Sequence, residues 1–321
     1  MTLPARPLPP GNGFSAANLI NIDDVSDAEV RCILDLAEHY AGFLRRGERP
    51  DQRLAGKTQI NLFFEDSTRT NLSFELAGKK LGADVLNVPV AASSVNKGEA
   101  LIDTVQTLAA MGAHVVIARH KEPRVHSELA RRIACPVINA GDGVREHPTQ
   151  AILDVATIRS AFGRVEGLVV AICGDIKHSR VAASGAELLL RMGAEVRFVG
   201  PAHLMPNAAQ FPKVRRFDSL KEGLADADIA MALRMQFERM EAGGRAAAQG
   251  YFEQFGLTHE TLRFAKAGAK VMHPGPMNRG VEIDGALADD ESCSLILKQV
   301  FYGVAVRMAV LDLLITRGAD H

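Results

Sequence analysis

Residues 63–82, FFEDSTRTNLSFELAGKKLG, decide the fold that this sequence predicts. The pair Phe63–Phe64 ends an apolar run that is typical of a buried strand, and from Phe74 onward apolar residues recur at helical spacing. A strand that runs directly into a helix is one half of an α/β repeat. Between the two lie, in order, Ser67, Thr68, Arg69 and Thr70.

The hydroxyl residues and the arginine of this junction are typical of an anion site. A helix start offers backbone N–H groups and a partial positive charge, and an arginine adds a planar fork for two phosphate or carboxylate oxygens. The alternative is a simple N-cap, which needs only one hydroxyl. The surplus of donors favours the anion site.

Alternation of strands and helices continues along most of the chain. The strand-like segments are continuous apolar runs, which indicates parallel sheets covered by helices on both faces. The predicted fold is α/β, with two doubly wound parallel-sheet domains joined by a long helix. A final helix, with an apolar stripe from Leu297 to Ile315, is expected to return to the first domain. The predicted divisions are a mobile arm at 1–14, a first domain at 15–148 plus 294–321, an inter-domain helix at 149–162, and a second domain at 163–293.

Composition excludes several classes of protein. The 321 residues carry a net charge of −1, so nothing global indicates a nucleic-acid or membrane partner. The four cysteines are scattered and read as reduced thiols. The N-terminal segment lacks the apolar core of a signal peptide, and no apolar run approaches the roughly 20 residues of a membrane span. The predicted location is the cytoplasm.

Polar residues follow other strands as well, at the sheet edge where α/β proteins bind ligands. They are Arg119, then His147 and Gln150, then Arg180, and finally Arg234 and Gln236. A solvated arginine at a strand end or a histidine that caps a helix is the alternative at each position. A histidine at a helix start has its charged form disfavoured by the helix dipole, so it can donate one hydrogen bond as a neutral ring.

Two irregular segments complete the candidate site. His-Pro-Gly-Pro at 273–276 forces a stiff, non-helical backbone whose carbonyls lack helical partners. The small-residue loop with Ser93, Ser94 and Lys97 is either part of the site or a flexible surface loop. Glycine-rich nucleotide motifs, a nucleophile elbow and a metal triad are all missing from the sequence. The residues therefore predict a metal-free, cofactor-free site between the two domains, which binds polyanionic small molecules.

Six motifs resemble, in order and spacing, those of the transcarbamoylase superfamily, and within it the aspartate carbamoyltransferase catalytic chains. They are FFEDSTRT, SSVNKGE, HPTQ, GDIKHSR, LRMQ.ER and HPGPMNRG.EI. The likeness runs from about residue 17 to 315. It implies transfer of the carbamoyl group from carbamoyl phosphate to L-aspartate in de novo pyrimidine biosynthesis, with a carbamoyl-phosphate-binding first domain and an aspartate-binding second domain. A transcarbamoylase for another acceptor, such as ornithine, and a silent scaffold subunit remain alternatives.

The resemblance also implies a role for each matching residue. The residues implied to bind the phosphate are Ser67, Thr68, Arg69, Thr70 and Arg119, together with Ser94 or Ser93. Those implied for the carbamoyl group are His147, Gln150 and the backbone of Gly275 and Pro276. Those implied for L-aspartate are Lys97, Arg180, Arg234 and Gln236. Arg69, Thr70, Arg119 and His147 would be the catalytic set, with Thr70, Arg119 and His147 as candidate oxyanion donors.

Further features of the resemblance concern motion and assembly. Glu65 and Arg239 resemble residues that clasp the two domains in a closed state. Family members contribute the loop with Ser94 and Lys97 from a neighbouring subunit, which implies a homotrimer with shared active sites. The N-terminal arm is longer than a minimal catalytic chain needs, which leaves open a higher assembly with a dihydroorotase-like or regulatory chain.

Overall fold

The computed structural model describes residues 14–65, 67–88, 99–122, 124–143, 145–236 and 244–317. These residues form two compact units. Unit 1 comprises residues 1–156 and 300–321, and unit 2 comprises residues 157–299. The first division falls inside a helix that the sequence predicts as the inter-domain helix, and the second falls inside the final helix.

Unit 1 is built around a four-stranded parallel sheet with the order β2-β1-β3-β4. Apolar side chains such as Ile60, Val116 and Leu129 are buried between the sheet and its helices. Its helices and strands are, in chain order, α1 (Asp27–Arg46), β1 (Thr58–Phe63), α2 (Thr68–Lys80), β2 (Asp84–Val88), α3 (Leu101–Ala110), β3 (Val115–His120), α4 (Arg124–Arg132), β4 (Val137–Asp142) and the start of α5 (Pro148–Phe162).

Unit 2 contains a five-stranded parallel sheet with the order β7-β6-β5-β8-β9. Its core includes Ala171, Val199, Leu257 and Val271. The elements after α5 are β5 (Val169–Cys173), α6 (Arg180–Arg191), β6 (Glu195–Val199), β7 (Arg215–Phe217), α7 (Leu220–Leu224), β8 (Ile229–Ala232), α8 (Gly244–Phe255), α9 (His259–Leu262), β9 (Lys270–Met272) and α10 (Gly285–Asp289).

The last helix, α11 (Ile296–Thr316), returns to the helices of unit 1. Asp312 is fully buried and accepts a hydrogen bond from the Tyr40 hydroxyl of α1 at 2.6 Å. Tyr302 accepts from Arg45 at 2.6 Å and donates to Glu38 at 2.6 Å. The predicted fold class, two parallel-sheet α/β domains with a returning C-terminal helix, is confirmed.

One sequence prediction needs correction. The apolar stripe of α11 does not mark one buried face, because Leu297 and Val300 are exposed whereas residues 305–314 are buried on every side. Such a helix is long and apolar enough to cross a membrane by length and composition, but most of it is buried inside the structure, as in a core helix. Of the predicted N-terminal arm, residues 1–13 lie outside the described residues, and Phe14 is buried.

Candidate active site

The start of α2 lacks the hydrogen bond that a simple N-cap would make. Ser67 occupies the N-cap position, but its side chain forms no cap hydrogen bond. Elsewhere in the chain a hydroxyl at this position accepts from a first-turn amide, as in Ser26, Ser179, Ser219 and Thr258. The Ser67 hydroxyl is therefore not used to cap α2, which suits the helix start to an anion.

The next three residues differ in their burial. Thr68 and Arg69 are exposed, whereas Thr70 is buried. Protein atoms nevertheless surround enough of the Arg69 guanidinium that desolvation lowers its pKa. A partly desolvated cation binds an anion more strongly than a fully hydrated one does.

Arg119 stands at the carboxyl end of β3, beside the segment that leads into α2. Strand pairing places Phe63 opposite Arg119, and the Phe64 amide donates to the Arg119 carbonyl at 2.9 Å. The buried guanidinium donates to the Ala140 carbonyl at 3.0 Å, and its Nε lies 3.5 Å from Glu65 Oε2. These contacts fix the fork at the edge of the sheet where α2 begins.

His147 and Gln150 lie at the start of α5, after β4. Both are buried, and the His147 carbonyl accepts from the Gln150 and Ala151 amides at 2.9 and 3.1 Å. His147 thus takes the predicted position just before Pro148. The Gln150 amide Nε2 donates to Asp154 Oδ1 at 2.9 Å, which orients the Gln150 side chain.

Two buried charges in unit 1 were missed by the sequence reasoning. Arg307 of α11 donates to the Thr149 hydroxyl at 3.4 Å and lies 4.9 Å above the Phe74 ring. Burial lowers the pKa of Arg307 to about 9, with Asp154 opposing the shift and Arg119 adding to it. Asp154 contacts the predicted site residue Gln150, and Arg307 contacts Thr149 next to it. The sequence feature that could have indicated a buried charge is an arginine inside the apolar run of the last helix.

In unit 2, the loop after β5 is held by a buried carboxylate. Asp175 accepts from His178 Nδ1 at 2.8 Å and from the His178 amide at 3.3 Å. A side chain at Gly174 would bring its Cβ within 2.7 Å of the Leu233 carbonyl, so the turn requires glycine. Arg180, half-buried, is the first residue of α6.

Arg234 and Gln236 follow β8, the neighbour of β5 in the sheet. Both side chains are half-buried, and Met235 between them is buried. Gln236 donates through Nε2 to the His178 carbonyl at 2.9 Å, which ties the two loops together. Arg180, Arg234 and Gln236 therefore stand at the carboxyl ends of adjacent strands.

Gly275 and Pro276 follow β9, the next strand along. Gly275 has a φ of +67°, and its amide donates to Nδ1 of the buried His273 at 2.8 Å. The remaining predicted residues, Ser93, Ser94, Lys97 and Arg239, lie outside the described residues. The predicted residues that the structure describes thus form two sets, one at the sheet edge of each unit.

One cluster in the described part of the chain could hold a metal ion by proximity. His259, Asp290 and Cys293 offer ligand atoms within 4.8 Å of one another. Hydrogen bonds account for this cluster, since His259 Nε2 lies 2.9 Å from Asp290 Oδ2 and the Asp290 Oδ1 accepts from the Ser292 amide at 2.9 Å.

Comparisons with known proteins agree on one family. Residues 17–160 match the model "Aspartate/ornithine carbamoyltransferase, carbamoyl-P binding domain", and residues 166–314 match "Aspartate/ornithine carbamoyltransferase, Asp/Orn binding domain". The chain is 53% identical over 306 residues to the aspartate carbamoyltransferase catalytic subunit of Gluconacetobacter diazotrophicus, with 95% of each chain covered. It is 52% identical over 318 residues to that of Sphingopyxis alaskensis, covering 98% of this chain and 92% of the relative.

Solved structures give the same result. Aspartate transcarbamoylase from Trypanosoma cruzi, in complex with N-(phosphonacetyl)-L-aspartic acid, has a TM-score of 0.87 at 32% identity, with 96% of this chain and 98% of that chain covered. The catalytic subunit of M. jannaschii aspartate transcarbamoylase has a TM-score of 0.84 at 32% identity, covering 95% and 100%.

Proposed function

We infer that this chain, which belongs to the aspartate/ornithine carbamoyltransferase family, transfers the carbamoyl group of carbamoyl phosphate to the amine of L-aspartate. The products are N-carbamoyl-L-aspartate and phosphate. The observation that carries this inference is the start of α2, where Ser67 occupies the N-cap position without making a cap hydrogen bond. Arg119 lies on the adjoining strand β3, paired with Phe63 just before that helix start. Aspartate as acceptor is supported by relatives named aspartate carbamoyltransferase and by related structures described with aspartate and carbamoyl aspartate.

Unit 1 would bind carbamoyl phosphate. The first turn of α2 and Arg119 would hold the phosphate, because backbone amides and guanidinium forks together match its charge and its oxygens. His147 and Gln150 would bind the carbamoyl group, and their burial supports a role in orienting a small neutral group. Thr70, Arg119 and His147 are placed in this proposal as donors to the developing oxyanion.

Unit 2 would bind L-aspartate and complete the carbamoyl contacts. Arg180, Arg234 and Gln236 would take its two carboxylates, with the backbone of Gly275 and Pro276 on the carbamoyl group. The tie from Gln236 to the His178 carbonyl supports a preorganised acceptor site, since it fixes the loops that carry these side chains. Lys97 and Ser94 would come from the neighbouring subunit.

The chemistry requires no protein nucleophile. The deprotonated α-amine of aspartate attacks the carbamoyl carbon, a C–N bond forms, and the C–O bond to phosphate breaks with its electron pair on the leaving phosphate. The proton lost by the amine goes to that phosphate. The protein contributes orientation of two anions that repel each other in water, together with donors aimed at the oxyanion.

The direct test of this function is a product assay on the purified chain. With carbamoyl phosphate and L-aspartate we expect N-carbamoyl-L-aspartate and inorganic phosphate in equal amounts, above the spontaneous rate measured without protein. Phosphate release without carbamoyl-aspartate would indicate a hydrolase and would refute the proposal.

The proposal extends to assembly. A homotrimer with shared active sites is supported by the resemblance of the Ser94–Lys97 loop and by relatives whose printed name is "catalytic subunit", a name that also supports assembly with a further chain. Location in the cytoplasm and a place in pyrimidine biosynthesis belong to the same proposal.

Sharing of the site can be tested with subunit hybrids. Lys97→Ala and Arg180→Ala subunits should each be inactive alone, because each lacks one proposed aspartate ligand. Mixed trimers should recover activity, since some sites then combine an intact Lys97 with an intact Arg180. Hybrids formed at measured ratios and assayed for carbamoyl-aspartate provide the measurement. Absence of recovery in verified mixed trimers would contradict a shared site.

A further inference from the structure

Glu282 is a buried carboxylate that holds two of the loops in unit 2. Its side chain is 0% exposed, as is that of His273. Its Oε1 accepts from His273 Nε2 at 3.1 Å and from the backbone amide of Asn278 at 2.5 Å. Its Oε2 accepts from the Met235 amide at 3.4 Å. A buried carboxylate is stable only with such donors around it, so these hydrogen bonds fix its position.

The ring of His273 connects Glu282 to the backbone of Gly275 through hydrogen bonds at its two nitrogens. The Gly275 amide donates to His273 Nδ1 at 2.8 Å, so that nitrogen carries no proton. The ring is then the neutral tautomer protonated at Nε2, and Nε2 donates to Glu282. The amide of Gly275 is oriented by a ring whose other nitrogen is held by the carboxylate.

The backbone amide of Met235 donates to the other oxygen of Glu282. Met235 lies between Arg234 and Gln236, the side chains assigned to aspartate binding in the proposed function. Its carbonyl accepts from Asn278 Nδ2 at 3.4 Å, so both polar groups of its backbone are held. Fixing the backbone at Met235 fixes the directions in which its two neighbours project.

We propose that Glu282 is a positioning residue for carbamoyl transfer, one that aligns the acceptor loop through Met235 and the carbamoyl loop through His273. This proposal rests on the proposed function. The two oxygens of this one carboxylate link the 234–236 segment to the 273–276 segment. The amine of L-aspartate and the carbamoyl carbon that it attacks are thereby held in a fixed relative position. Misplacement by about 1 Å in such a site lowers rates roughly 100-fold.

The first test is Glu282→Gln. The amide oxygen is expected to face His273 and Asn278, which satisfies two donors, and the NH2 group then faces the Met235 amide, donor against donor. The KM for L-aspartate should rise about tenfold, since an unpaired buried donor shifts the acceptor loop. Binding of inorganic phosphate, assigned to unit 1, should stay near wild type in calorimetry.

A matched control separates positioning from stability. Asp228 is also a buried carboxylate of unit 2, which accepts from the Val169 amide at 2.8 Å and from Lys266 at 2.8 Å. It precedes β8, at the opposite end of the strand from Met235. Asp228→Asn makes the same chemical change, and we expect a lower melting temperature with unchanged KM and kcat.

His273 variants supply the second test. His273→Gln keeps a donor toward Glu282 but removes the acceptor for Gly275, so kcat should fall about tenfold with little change in the KM for aspartate. His273→Asn keeps an acceptor near Gly275 but removes the donor to Glu282, so kcat should fall and the KM for aspartate should rise.

These outcomes decide the proposal. Wild-type KM and kcat in Glu282→Gln, with a melting temperature lowered as in Asp228→Asn, would overturn it. If Glu282→Gln does not fold, wild-type kinetics in both His273 variants would overturn it instead. Failure of the proposed function is a separate result, in which the wild-type chain forms no N-carbamoyl-L-aspartate.

Discussion

Arg69→Ala is expected to lower kcat/KM about 1000-fold, because it removes the cation at the start of α2 that would neutralise the phosphate in the transition state. The side chain is the only arginine of the first turn, in the described residues of α2. Partial desolvation lowers its pKa, and an anion bound at the helix start would offset that loss of hydration. Initial rates over both substrate concentrations provide the measurement.

The control for Arg69 is Arg31→Ala, an exposed arginine of α1 replaced in the same way. Alanine favours helices, so both variants should fold with wild-type melting temperatures. If Arg69 were only a solvated residue at a helix start, the two variants would have the same near-normal turnover. That result would remove the phosphate site from α2.

Arg119→Met should lower kcat/KM by a similar factor, about 100- to 1000-fold. Methionine preserves much of the apolar volume but has no charge and no fork. The Glu65 carboxylate would also lose its partner at 3.5 Å, and the Ala140 carbonyl its donor at 3.0 Å. We therefore expect loss of phosphate binding in calorimetry together with a modest loss of stability.

Arg197→Met is the matched control for this substitution. Arg197 is likewise buried, pairs through Nε with Glu195 at 2.7 Å, and donates to the Gly223 carbonyl at 3.3 Å. It lies within β6, away from the strand ends that carry the candidate site. Its variant should lose stability but keep kcat/KM. Equal activity of the two variants would argue that Arg119 has a structural role alone.

Much of the fold could be predicted because buried parallel strands and amphipathic helices leave clear periodic patterns. The sequence pattern does not predict the edge strand β2, and the reason is physical. Asp84 and Asn87 interrupt it, and Leu86 is 51% exposed, so it carries neither a continuous apolar run nor a strict alternation. The pattern does not predict helix α8 either, since Gly244 and Gly250 weaken its helical signal.

The candidate ligands could be predicted because they follow strands in the sequence, and parallel strands end at one edge of the sheet. The buried charged residues that support these ligands, Glu282 and Arg307, could not be predicted. Glu282 contacts Met235 across 47 positions, and Arg307 contacts Thr149 across 158. No local pattern encodes such pairs, since only the completed fold brings them together. A charged residue in an apolar run, such as Arg307, indicates that a buried polar partner exists but does not identify that partner.

The acceptor can be identified by one competition experiment. The purified chain is given carbamoyl phosphate labelled with carbon-13 and equal amounts of L-aspartate and L-ornithine, and the products are resolved by NMR against a protein-free control. We expect the label to enter N-carbamoyl-L-aspartate, since Arg180 and Arg234 provide cations for two carboxylates whereas ornithine has only one. Accumulation of carbamoyl-ornithine in excess of carbamoyl-aspartate would contradict this expectation.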